Sequence, residues 1–119
     1  MNIKPRLLNF RALVSFHSTY GVFVAECLET GHVATADTQP MAVEMLQELI
    51  VDEVQFALKN DNLRSLLSSP LRLHEFMRWA DAKAKRASQY EWMQRTLNGR
   101  EFSFAIEFAF DGSKPEEAA

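Results

Sequence analysis

Cysteine occurs once in this chain, as Cys27, so no internal disulfide can form. Long apolar runs are missing as well. Nothing approaches the roughly 18 residues of a membrane-spanning helix, because the apolar stretch around Leu46 is interrupted by Glu44, Glu48, Asp52 and Glu53. Membrane insertion is therefore excluded. The first nine residues carry Lys4 and Arg6 without an apolar stretch of signal-peptide length, which sets the expectation of a cytoplasmic protein. There are no internal repeats, no low-complexity segments and no linker strong enough to divide the chain. At 119 residues, 47% of them hydrophobic, it is long enough for one hydrophobic core and too short for two ordinary domains. The expected organisation is a single domain over 1–119 with an inserted helical segment over 61–98 and a flexible tail over 111–119.

Chemistry-bearing constellations are equally scarce. His17, His32 and His74 have no Cys or His at metal-ligand spacing, and the pair His74-Glu75 lacks the second histidine of a zinc-protease helix. No metal or cofactor is expected. Cys27 falls in a strand with no adjacent histidine to activate it, so it reads as a small buried hydrophobe. Asp37-Thr38 is explained by helix capping without a catalytic role.

What the sequence does contain is clear periodicity. Phe10, Ala12, Val14 and Phe16 alternate with Arg11, Leu13, Ser15 and His17, which predicts a strand over 10–18. Thr19-Tyr20-Gly21 supplies a turn, a second antiparallel strand follows over 22–28, and Glu29-Thr30-Gly31 turns into a third over 32–36. Asp37 or Thr38 can then cap a helix over 39–59 that has Pro40 in its first turn. Val43, Leu46, Ile50, Val54 and Ala57 form its core stripe. Met41, Met45, Leu49 and Phe56 widen that stripe beyond what a small sheet covers, which implies either cover from later helices or an oligomer contact. A short turn of helix over 63–67 precedes Ser69-Pro70, where a second long helix should start and run to 87 with Leu73, Phe76, Met77, Ala80 and Ala84 inward. A further helix is read over 88–97 through Tyr90, Met93 and Leu97, stopped by Asn98-Gly99. Phe102, Phe104, Ile106, Phe108 and Phe110 then make the clearest period-two run, a last strand.

These elements predict an α+β fold: a three-stranded antiparallel meander, helices on one face of the sheet, and a final strand beside the first and parallel to it. Charge is segregated along it. Residues 26–61 carry eight acids and one base, a net of −7, whereas residues 62–100 carry eight bases and three acids, a net of +5. Such asymmetry marks either a contact face or a solvated helix surface. In the second half, Arg72, Arg78, Lys83, Lys85 and Arg86 accompany Trp79, with Tyr90 and Trp92 nearby. Helical spacing sets Arg72, Trp79, Lys83 and Arg86 near one side, the combination of cations and stacking aromatics that single-stranded nucleic acid binding requires. The same residues also read as a core-edge Trp79 on an ordinary basic surface.

The segment from Val22 to Leu46 resembles the HicB-like antitoxin family. Phe23-Val24-Ala25-Glu26-Cys27-Leu28 is similar to the family's first strand motif, Gly31-His32-Val33 to its middle, and Ala36-Asp37-Thr38 with Ala42 and Leu46 to its step into the helix. The resemblance covers about residues 9–58 and implies a partial ribonuclease-H-like fold, with a small ribonuclease toxin as partner. It does not imply a nuclease. Enzymes with that sheet need several converging acids to hold divalent metal, and Glu26, Glu29 and Asp37 lie on different strand faces or turns. Family members commonly carry a DNA-binding tail, whereas here the helical segment 70–97 precedes the last strand and no such tail follows Phe110. The resulting expectation is a non-catalytic protein-interaction module, a homodimer through Met41, Met45, Leu49 and Phe56, with a nucleic-acid-binding accessory protein, contacting RNA through 70–97, as the alternative.

Overall fold

A computed structural model describes residues 6–67, 73–86 and 88–111, the side chains of Arg6, Leu67 and Arg86 excepted. The expected cap at Ser69-Pro70 and most of the expected tail lie outside the described residues. The fold is α+β. Strands β1 (Arg6–His17), β2 (Val22–Cys27) and β3 (Val33–Ala36) form the meander, followed by α1 (Gln39–Lys59), α2 (Leu63–Leu67) and α3 (Leu73–Arg86), and then by β4 (Ser88–Leu97) and β5 (Arg100–Phe110). The five strands form one sheet in the order β3-β2-β1-β5-β4.

The last strand lies parallel to the first, as expected for a connection through helices, with Phe10 opposite Ile106 and Val14 opposite Phe110. This pairing also explains why β1 starts earlier than its own alternation suggests. Arg6 to Asn9 are held extended because Phe102 to Ala105 of β5 lie alongside them.

Residues 88–97 are a strand, which corrects the helix read there. Tyr90, Met93 and Leu97 do recur at helical spacing, but the same segment alternates, and its turn decides between the two. Asn98 and Gly99 both have positive φ, 53° and 77°, the two-residue hairpin geometry that matches strand twist. Leu97 and Arg100 pair across that turn, and the ladder runs back to Ser88 opposite Ala109. The asparagine-glycine step is therefore a hairpin turn and not a helix stop.

The helices do not share one face of the sheet, a second correction. Leu8, Phe10, Ala12 and Val14 of β1 and Phe102, Phe104, Ile106 and Phe108 of β5 point to one face, where α1 covers them with Ala42, Leu46, Ile50 and Val54. Alternate residues point the other way, and there α3 packs Trp79 and Ala82 against Leu13, Leu28 and Ala109. A five-stranded sheet with apolar residues on both faces needs cover on both. The α3 stripe also turns out differently. Leu73 and Met77 are 71% and 61% exposed, while Trp79 is 6% exposed. The helix is rotated to bury its largest side chain, whose indole N–H also needs an acceptor, at the expense of the more regular Leu73-Met77 line.

Candidate functional site

Helix α1 presents the one broad apolar surface that the sequence singled out. Its start is set by Thr38, which has extended backbone angles and whose Oγ1 accepts a hydrogen bond from the Met41 N–H at 3.3 Å. Its inward stripe of Ala42, Leu46, Ile50, Val54 and Ala57 is fully used against the sheet. Met41, Met45, Leu49 and Phe56 remain 53%, 45%, 37% and 64% exposed. Among the described residues no later helix covers them, because α3 lies on the other face of the sheet. Steps of four residues bring Met41, Met45 and Leu49 into one line, with Phe56 continuing it two turns on. Acids accompany this line: Glu48 binds Arg95 at 2.9 Å, Glu53 binds His32 at 2.9 Å, and Glu44 and Asp52 belong to the same helix. Lys59 is the lone base of the helix.

On the other side of α1 an open cleft of about 540 Å³ lies against β4, lined by Val43, Glu44, Gln47, Gln89, Glu91 and Arg95 among others. It brings together no nucleophile with a base. Among the described residues no group of His, Cys, Asp and Glu is placed to hold a metal ion. Burial pushes the Cys27 thiol up to about 11, and with no exposed surface it is an unreactive core atom.

The proposed nucleic-acid residues divide three ways. Arg72 lies outside the described residues, as does the Arg86 side chain. Trp79 is buried, its ring 6.0 Å from Phe76, and its Nε1 donates to the Glu107 carbonyl at 3.2 Å. Lys83 stands 5.2 Å over the Trp79 ring and binds Glu107 at 2.8 Å. The structure thus brings Trp79 and Lys83 together, but onto β5. Arg11 completes the arrangement from β1, 5.0 Å over Phe76 and held by Glu29 at 2.9 Å.

Glu107 is the residue sequence reasoning missed. It is the buried charge of the described residues, 7% exposed on the second face of β5. Ser88 and Tyr90 of β4 donate to its carboxylate, Tyr90 at 3.0 Å, and Lys83 supplies the counter-charge. The signal in the sequence is the one acid within the run from Phe102 to Phe110, but its partners come from β4, where the spacing predicts a helix. Burial alone would raise the Glu107 carboxyl, yet the hydrogen bonds from Lys83, Ser88 and Tyr90 outweigh it and hold the group below the usual glutamate range. The stabilisation is therefore complete above the unfolded pKa, about 4.3, and is lost as pH falls through the lower folded value. Glu107→Gln should cost about 2 kcal/mol at neutral pH. Urea unfolding of both proteins between neutral and acid pH should show that difference shrinking as acidity rises. A gap that does not change with pH would contradict this account. No protein-family model, curated protein or solved structure matches this chain.

Proposed function

We propose that this chain is a non-catalytic protein-interaction module of HicB-like type, antitoxin-like in binding a small partner protein through α1. The observation that carries the reading is the line Met41, Met45, Leu49 and Phe56, left open along a well-capped, well-packed helix. Exposed apolar surface of this extent is costly in water, and a rim of charge around it is the usual composition of a binding patch. The rim selects the partner. With Glu44, Glu48, Asp52 and Glu53 on the same helix, a basic surface is attracted, whereas a second copy of α1 would bring acids against acids. The partner implied by the HicB-like resemblance is a small ribonuclease toxin, and a basic face on such a partner has the right charge for this surface. The homodimer expected through α1 is disfavoured by the same repulsion.

The test is affinity capture from the native cell, identifying both protein and RNA, with the wild-type chain and with a Leu49→Asp, Phe56→Asp variant. Both positions are exposed, so the variant should keep its circular dichroism spectrum. The expected result is a basic small protein retained by the wild type and held at least about tenfold more weakly by the variant. Capture of RNA alone, in a salt-sensitive manner, would transfer the function to the nucleic-acid reading, which retains the exposed Tyr90–Trp92 pair with centroids 6.1 Å apart. A partner bound equally by both proteins would refute α1 as the contact.

A further inference from the structure

We propose that a second copy of this chain docks on the open edge of β4, pairing antiparallel to it and joining two sheets into one continuous sheet of ten strands. The sheet order leaves β3 and β4 as edges. The β3 edge is short, Val33–Ala36, and α1 packs against it. The β4 edge is a strand of ten residues, Ser88–Leu97, without proline or an interruption in its ladder to β5. Natural sheets rarely leave such an edge bare.

The hairpin determines which main-chain groups face away from β5. Leu97 and Arg100 flank a two-residue turn and so exchange hydrogen bonds, as do Arg95, Met93, Glu91 and Gln89 with their β5 partners in alternation. The N–H and C=O groups of Tyr90, Trp92, Gln94 and Thr96 therefore point outward, the Gln94 carbonyl accepting from Arg95 Nη1 at 3.1 Å in an exposed contact that an incoming strand replaces. A perpendicular two-fold axis must pair residues of the same face. With the axis at Met93, Trp92 meets Gln94 of the second copy and Tyr90 meets its Thr96, which satisfies these outward groups with about eight main-chain hydrogen bonds.

Charge selects that register and that occupant. Centred on Met93, Glu91 lies directly opposite Arg95 of the second copy, twice by symmetry, in the pair type whose side chains approach most closely. Moving the axis to Trp92 sets Glu91 against Met93 and Arg95 against Gln89, and moving it to Gln94 sets Glu91 against Leu97 and Arg95 against Met93. Arg95 already holds Glu48 at 2.9 Å, and the fork of its guanidinium has donors for a second carboxylate. On the opposite face, Trp92, 65% exposed, becomes a diagonal neighbour of Trp92 of the second copy and gains cover that the monomer lacks. A self-complementary edge is a contact for an identical chain. It shares no residue with the α1 line, so a dimer can present two α1 surfaces.

Sedimentation velocity of the full chain over a concentration series tests this. The wild type is expected to be dimeric. Gln94→Pro removes an outward N–H that β5 does not use, so the hairpin tolerates it, and the dimer dissociation constant should rise by about tenfold or more. Glu91→Arg should weaken the dimer in the same way by placing like charges opposite each other, and Glu91→Arg combined with Arg95→Glu should restore it. A monomer at every concentration overturns the proposal. So does a dimer indifferent to Gln94→Pro and Glu91→Arg but dissolved by Leu49→Asp, which would place the second copy on α1. Loss of partner capture by Leu49→Asp, Phe56→Asp with the dimer intact would instead bear on α1 alone.

Discussion

Phe104→Ala should lower the unfolding free energy by about 4 kcal/mol, the largest effect expected from a single truncation in this chain. Phe104 is fully buried, in the middle of β5, a strand flanked on both sides. Its neighbours across the sheet are Leu8 of β1 and Met93 of β4, and its ring stacks on Phe10 at 6.3 Å with the planes 16° apart. Removing the ring loses its transfer free energy and leaves a cavity whose walls are held by two strands and α1, so little collapse can offset it. Against a typical total of roughly 5–15 kcal/mol, a large share of the stability margin is at stake. Urea unfolding measures it, with Phe104→Leu as the milder control at about 1 kcal/mol. A loss below about 1 kcal/mol for the alanine variant would mean that the core is not assembled around β5.

Trp79→Ala should cost about 3 kcal/mol or more, and its signature should be local. Trp79 is the main apolar anchor of α3, packed with Leu13, Leu28, Ala82 and Ala109 in a cluster separate from the larger core. Its N–H bond to the Glu107 carbonyl and the Arg11 cation over its ring tie the helix to β5 and β1, and Lys83 of the same helix stands over the ring as well. Without the indole, amides of α3 should exchange with solvent much faster while those of α1, on the opposite face, keep their protection. Trp79→Phe separates packing from hydrogen bonding and should cost about 1 kcal/mol, the net worth of one such bond. Equal loss of protection in α1 and α3 would show that the two faces unfold as one unit, contrary to the division of the core.

Helix α1 and strands β1, β2, β3 and β5 could be read directly from residue order. Each declares itself through side chains within its own length: the alternation of Phe102 to Phe110, the four-residue steps of Leu46, Ile50 and Val54, and Thr38 before Pro40. Even the parallel neighbour of β1 followed, since a strand reached through helices returns to the same sheet most simply in that sense. The open line of Met41, Met45, Leu49 and Phe56 was also legible, because it was an excess over what one sheet can cover.

Other features depended on residues far apart in the chain. Segment 88–97 carries both a helical and an alternating pattern, and a free edge on β5, joined through Asn98-Gly99, selects the strand. The rotation of α3 followed from where the sheet offers a carbonyl and small residues for Trp79. Lys83, read among nucleic-acid contacts, acquired a carboxylate partner because Glu107 sits beneath it on β5. Periodicity reports which side of an element is apolar and how it is capped, since those preferences act over a few residues. It carries no record of which acceptor, counter-charge or vacant edge lies opposite, and here such distant partners decided the second face of the sheet and the place of β4 at its edge.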